Sequence, residues 1–486
     1  MGRILAIAGL AFVESARKKI YLVLFLYVVA LVAGTWAAPD VETVGIGQGR
    51  LAFVEGFAFQ AIFVFSAVSA VFLAAVHIPK DISDRTIFTV LTKPVSRLEF
   101  VAGKMLGLTG VAVLLVAVMG AFAYGYFVVS ARRSTPPRTL VAYREVEARS
   151  VGFYFGAVSP PTPVAIEREP GADFTLIRDT QNVLTVFHFE GLDRSRLYTA
   201  AQWAEDDPSA PVNVAGRPPR RKGLPASEPG APVVRVTVET SGMGTTEAEM
   251  RLIFSNPESG SAAEPVSVKA RGSRSFLVAA PADLIDSRGR LDVRAAYDAP
   301  RVTIRMNRSG VTVLRPPASF AFNYIVCLGG LAMAMALLVA AAVTFSTFLS
   351  GFVAVLAAIV FFSMGYFVET IAIAAEAYEP SSGQIFKSDH HHHGHSHEPP
   401  SAPKHFSEMG PGERAETVVR AALANFLGGL RVILPDLNHF NYGADLVNER
   451  QVPPARLGRS LWTAGVYVAV LFVVSVVVML RREVAL

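Results

Sequence analysis

The sequence predicts an α-helical polytopic membrane protein with six transmembrane helices and an antiparallel β-sandwich-like extracytoplasmic domain between helices 3 and 4. Three observations predict it. The 486-residue chain is 52% hydrophobic and 17% charged, with a mean hydropathy of +0.40. Soluble globular chains carry about a quarter charged residues. Its apolar residues gather in six blocks of roughly 20, the length that crosses ~30 Å of hydrocarbon as a helix. Between the third and fourth blocks lie short β-branched and aromatic runs separated by turn residues.

The blocks are 20–38, 57–78, 105–129, 320–345, 352–373 and 461–480. Helices suit them, because a helix satisfies its own backbone in lipid. Arg17, Lys18 and Lys19 precede the first block; Lys80, Arg85, Lys93, Arg97 and Lys104 lie between the second and third; Arg481 and Arg482 follow the sixth. An even number of spans puts all three clusters on one side, the cytoplasm, together with both termini. The chain then divides into an amphipathic interface helix (1–19), helices 1–3 (20–129) with a cytoplasmic loop (79–104), an outer domain (130–318), helices 4–5 (319–373), a second outer segment (374–459) and helix 6 with a tail (460–486).

Several classes are excluded. The first apolar block is longer than a signal-peptide core and follows an amphipathic stretch. Ala6 stands where a myristoylation signal needs Ser or Thr. The net charge of +5 and pI near 9.2 fit the loop charges; no basic stripe with interleaved aromatics supports nucleic-acid binding. The single cysteine, Cys327, excludes an intrachain disulfide and reads as a packing residue. Glu55 and Glu369 lie near span ends, where snorkelling to water is cheap. So little intramembrane charge argues against a proton-driven carrier. It fits a lipid-like or large substrate, or a machine that moves no solute.

The first outer segment opens with irregular, Pro-rich sequence (Pro136, Pro137, Pro160, Pro161, Pro163). Strand runs follow at 174–177, 184–189, 233–240, 250–254, 266–269, 276–278, 291–296, 302–306 and 311–314, and several alternate, as in Val234-Arg235-Val236-Thr237-Val238. This spacing reads as an antiparallel sandwich. Residues 206–232, rich in Pro, Arg and Gly, read as an exposed loop. His188, between Phe187 and Phe189, reads as a satisfied strand histidine.

The second outer segment carries His390, His391, His392, His393, His395 and His397. Clustered neutral imidazoles suit Zn, Cu or Ni. Without cysteine such a tract makes a weak, adaptable site; the competing reading is a low-complexity loop. Residues 415–434 form a helical pattern interrupted by Arg420, Gly428-Gly429 and Arg431. It is a poor span and is expected on or in the outer leaflet. Leu434-Pro435-Asp436-Leu437 stops it and leads to the last span.

The most informative stretch is 77–108, a charged segment between two spans that must sit on the cytoplasmic face. Asp81 and Asp84 suit a helix N-terminus. Ile82, Ile87, Val90 and Leu91 share one apolar face, and Lys93-Pro94 ends the helix. Ser96 offers a cap for 98–104, which runs into the third span.

These residues resemble those of the permease subunits of ABC-2 type transporters, in the group of the nitrous-oxide-reductase maturation permease. The resemblance rests on Ala11-Phe12-Val13-Glu14-Ser15-Ala16-Arg17-Lys18-Lys19, on Asp81-Ile82-Ser83-Asp84-Arg85-Thr86-Ile87-Phe88-Thr89-Val90-Leu91-Thr92-Lys93-Pro94-Val95-Ser96-Arg97 with Glu99-Phe100 and Gly103-Lys104, on Ser346-Thr347-Phe348-Leu349-Ser350-Gly351 and on Leu434-Pro435-Asp436-Leu437. It spans all six apolar blocks but neither the β-rich insertion nor the histidine tract.

The resemblance implies a multi-pass subunit of a bacterial inner membrane. A second permease copy or homologue would pair with it, and each copy would rest on a separate cytoplasmic ATPase that binds ATP-Mg. The segment after span two would be a coupling helix, with Asp81, Asp84, Arg85, Lys93 and Arg97 as polar docking residues and Ile87, Phe88 and Leu91 as anchors. The chain lacks a G-x-x-x-x-G-K-[ST] phosphate loop, so it is not itself the ATPase. Three classes follow. The favoured one is ATP-driven transport, with export as the expected direction. The second is a mechanotransmission or metalloprotein-maturation complex whose outer domain binds an extracytoplasmic partner. The third, a membrane-anchored receptor, has more spans than anchoring needs.

Overall fold

The computed structural model describes residues 2–16, 20–37, 50–83, 96–133, 140–155, 162–163, 174–177, 183–206, 228–241, 248–270, 274–298, 303–307, 310–368 and 434–481, with five isolated positions between 419 and 429. Helices α1 (Gly2–Ala16), α2 (Ile20–Ala37), α3 (Arg50–Ser83) and α4 (Arg97–Arg133) precede the β domain. Helices α6 (Phe320–Phe348), α7 (Gly351–Tyr366), α8 (Gly443–Val447) and α9 (Pro454–Arg481) follow it, and α5 (Ala200–Asp206) lies within it.

Four of these helices are long and apolar enough to cross a bilayer: α4, α6, α9 and the Leu51–Val76 part of α3. The chain is therefore a membrane protein. The first and fifth expected spans form shorter apolar helices, Tyr21–Ala37 and Gly351–Tyr366. At 1.5 Å per residue the 16-residue α7 reaches about 24 Å. Its backbone leaves helical geometry at Phe367.

Helix α3 differs from expectation at its C-terminal end. It runs 34 residues through Pro79 to Ser83, so Asp81 belongs to its last turn and does not open a new helix. An interior proline removes one backbone hydrogen bond, and the helix absorbs this near its end. Glu55 also differs. It is 4% exposed because α3 starts at Arg50 and α8 packs against its N-terminal part. A Cβ on neighbouring Gly56 would lie 3.2 Å from Val447.

Helix α1 packs along α4. Gly103 and Gly107 let the two backbones approach: a Cβ on Gly107 would strike the Ala8 carbonyl and lie 2.8 Å from Ala11 Cβ. Small residues at such seams permit close helix packing. Lys104, read as one of the basic residues leading into the third span, is 5% exposed with its ammonium 5.9 Å from the Phe100 ring centroid. Polar bonds join α6 and α9: Thr344 Oγ1 donates to the Leu471 carbonyl (3.1 Å), and Ser475 Oγ donates to Thr344 Oγ1 (2.8 Å).

The β domain has strands β1 (Val141–Glu147), β2 (Ser150–Phe155), β3 (Thr162–Pro163), β4 (Phe174–Ile177), β5 (Val183–Phe189), β6 (Val233–Ser241), β7 (Ala248–Ser255), β8 (Val266–Ala270), β9 (Arg274–Ala279), β10 (Leu291–Asp298), β11 (Thr303–Asn307) and β12 (Val311–Ser319). They form two antiparallel sheets. One has the order β1-β12-β6-β11-β4, with β9 also on β6; the other is β3-β2-β5-β10-β7-β8. Val234, Val236, Val278 and Val313 of the first sheet share a buried cluster with Phe187, Leu252, Phe254 and Val293 of the second. The two inner faces thus make one apolar core, as in a sandwich. Strands β1 and β2 occupy part of the stretch expected to be irregular.

The sandwich joins the helices through two adjacent strands. Val141 of β1 pairs with Ser319 of β12, and β12 passes directly into α6. Ser319 caps that helix by accepting from the Phe322 N–H at 3.5 Å.

Candidate functional site

Two linked regions carry the polar architecture. The first is the rim where α4 begins and α9 ends. Ser96 and Glu99 form a reciprocal capping box: Ser96 N–H donates to Glu99 Oε2 (2.9 Å), and Glu99 N–H donates to Ser96 Oγ (3.2 Å). This satisfies backbone donors at the start of α4. Arg97 then reaches across the bundle. Its Nη1 donates to the Met479 carbonyl (2.5 Å) and the Leu480 carbonyl (3.3 Å) at the end of α9. A guanidinium satisfies orphan carbonyls and suits the negative end of a helix dipole.

Arg97 is thus engaged inside this chain. Asp81 is placed by its backbone alone, and Asp84, Arg85, Ile87, Phe88, Leu91 and Lys93 lie outside the described residues. His390, His391, His392, His393, His395 and His397 also lie outside them; among the described residues no cluster of His, Cys, Asp or Glu has metal-binding geometry.

The second region is the joint between the sandwich and the helices, built by residues 434–453. Asp436 starts a 3₁₀ turn, Leu437–Phe440, by accepting from Asn438 N–H at 3.0 Å. Leu437, Phe440, Tyr442 and Leu446 are wholly buried. Gly330 of α6 makes room: a Cβ there would lie 2.6 Å from the Tyr442 ring. Tyr442 OH donates to Ser460 Oγ of α9 at 2.7 Å. Arg456 of α9 binds Asp445 of α8 at 2.6 Å and lies 5.1 Å from the Tyr442 ring centroid. Burial raises the Asp445 carboxyl pKa, with Arg456 opposing it.

The same segment then bonds the sandwich. Tyr143 N–H donates to the Glu449 carbonyl (2.7 Å), and Gln451 N–H donates to the Tyr143 carbonyl (2.9 Å). Asn323 of α6 holds the next peptide through the Arg450 carbonyl (2.9 Å) and Val452 N–H (3.0 Å). Arg235 of β6 is wholly buried. Its Nη1 donates to Glu145 Oε1 (2.6 Å) and the Asn448 carbonyl (2.8 Å), and its guanidinium lies 5.4 Å from the Tyr143 ring centroid. Arg450 shares Glu145 (3.2 Å) and donates to Thr237 Oγ1 (3.2 Å). Burial depresses the Arg235 pKa, and Glu145 opposes the effect. Glu449 turns the chain with φ +54°, a left-handed conformation unusual for a side chain of this size.

No protein-family model, curated protein or solved structure matches the chain.

Helix α9 therefore has a polar contact at each end: Arg97 holds its C-terminus, while Tyr442 and Asp445 hold its first turns. Because an α-helix is stiff along its axis, displacement at one rim can be passed to the other. Sequence reasoning missed the joint. Its one local signal was the spaced apolar residues Leu437, Phe440 and Tyr442 between two turn formers, Pro435 and Gly443.

His188, read as a strand histidine, sits on β5 with Nδ1 2.8 Å from Asp292 Oδ1. That bond raises its pKa.

Proposed function

We propose that this chain is the membrane subunit of an ABC-2 type transporter, driven by a separate cytoplasmic ATPase. In this reading six helices cross a bacterial inner membrane and both ends face the cytoplasm. ATP binding moves the 81–97 segment, and a second permease copy or homologue completes the pathway. The observation that supports it best is the Arg97 contact. It ties the segment that would take the ATPase stroke to the end of α9. The test is charge reversal, Asp84→Lys with Arg85→Glu, followed by copurification of an ABC ATPase coexpressed with this chain. Loss of most of the complex is expected; an unchanged yield would count against the docking segment.

The joint favours a second reading, in which the stroke is delivered to the β domain for an extracytoplasmic protein partner. Arg456 of α9 pairs with Asp445 of α8, and Arg450 and the Asn448 carbonyl further along the same segment bond Glu145 of β1 and Arg235 of β6, so rocking of α9 would move the sandwich through residues 445–450. Reconstitution with the ATPase in liposomes separates the two: transport requires ATP-dependent solute or lipid movement, whereas mechanotransmission requires only ATP-dependent change in the β domain. The histidine tract, with Zn, Cu or Ni, would serve this second reading.

A further inference from the structure

A recess of about 420 Å³ opens where α4 leaves the helices and β12 returns to them. Its inner wall is apolar and aromatic, made by Tyr124 and Val128 of α4 and Phe320 of α6. The Tyr124 and Phe320 rings stack with centroids 6.3 Å apart. Its rim is polar. Arg132, in the last turn of α4, lines it and is exposed. Among the described residues Arg132 has no acidic partner. Ser319 and the first turn of α6 complete the rim, where the initial backbone N–H groups lack intrahelical acceptors. No Asp or Glu lines the recess.

Depth gives these features a meaning. The third apolar block ends at residue 129, and Arg132 stands about 4.5 Å further along the helix. The recess is thus apolar at hydrocarbon depth and cationic at the headgroup level. That profile matches a phospholipid, with its acyl chain along Tyr124 and Val128 and its phosphate on Arg132. Arginine is well suited to phosphate, which it binds through paired N–H donors. An ethanolamine ammonium would meet no carboxylate here, so the charge balance favours a headgroup with net negative charge.

We propose that this recess binds an anionic phospholipid from the leaflet beside the β domain. The bound lipid braces the root of the sandwich, since β1 starts and β12 ends at its rim. The inference uses only the membrane character of the chain and stands apart from the ATPase reading.

The experiment is native mass spectrometry of the full-length protein in detergent. The protein is incubated with phosphatidylglycerol, phosphatidylethanolamine or inorganic phosphate. Phosphatidylglycerol is expected to be retained in preference to phosphatidylethanolamine, and phosphate alone is expected not to bind. Arg132→Gln is expected to lower phosphatidylglycerol retention roughly tenfold, the effect of losing one charge-assisted hydrogen bond. Val128→Phe, which fills the wall but keeps the charge, is expected to lower retention of both lipids. Equal retention of both lipids by the unaltered protein would overturn the proposal. So would full phosphatidylglycerol retention by folded Arg132→Gln, or by folded Val128→Phe where Arg132→Gln does not fold. Binding of phosphate alone with equal strength would show an ion site and not a lipid site.

Discussion

Arg235 is a fully buried charge on a strand whose sequence alternates Val-Arg-Val-Thr-Val. Alternation alone marks it as an outward-facing, solvated residue. It is buried because residues 448–451 and α5 cover that face of the sheet, which only the folded chain shows. Removing one partner of a buried ion pair costs about 3–5 kcal/mol. Arg450 continues to neutralise Glu145, so Arg235→Ala should cost about 3 kcal/mol, at the low end of that range. Thermal and denaturant unfolding followed by the β-sheet circular dichroism signal measures it. A loss under about 1 kcal/mol would mean that the pair is solvated.

His188 gives a pH dependence whose sign is fixed. Its folded pKa is raised above the ordinary histidine value by Asp292. The pair therefore stabilises the β domain fully below the unfolded pKa near 6.5, and the gain is lost as pH rises through the folded value. The imidazole is 36% exposed, so screening keeps the effect below about 1 kcal/mol. The unfolding temperature of the β domain should fall slightly more between pH 6 and 8 in the natural chain than in Asp292→Asn. Identical pH profiles would remove His188 as the cause.

At the scale of elements, the α1–α4 seam depends on glycine. Gly107→Leu should displace α1, costing about 1–3 kcal/mol by overpacking. Hydrogen exchange over residues 2–16 should then accelerate, while exchange in the sandwich stays as it was. Slow exchange in α1 would show that the seam accommodates the side chain.

The strands from β4 to β12 were legible in the sequence because each has a compact β-branched or aromatic run between turn residues. Strand β1 was not. Its Arg144, Glu145 and Glu147 look like loop composition, yet Glu145 is polar because it meets Arg235 and Arg450. Strand β2 is weakened as a signal by Gly152. Residues 434–453 were read as a connection because their partners, Gly330, Asn323 and Tyr143, lie more than a hundred residues away. Ser96 was legible as a cap because capping is local; its reciprocal partner Glu99, three residues on, was not singled out.

At the scale of the whole molecule, α9 connects the two polar regions. The Arg97 contact lies at one end, and the joint lies at the other. The proposed function requires the two ends to face opposite sides of the membrane, with the 84–97 segment on the cytoplasmic side. An introduced thiol tests that requirement most directly. In a Cys327→Ala background, Asp84→Cys should stay unlabelled by a membrane-impermeant maleimide in intact spheroplasts and become labelled after the membrane is opened. Labelling in intact spheroplasts, at a level matching an exposed β-domain control such as Ser259→Cys, would contradict the account.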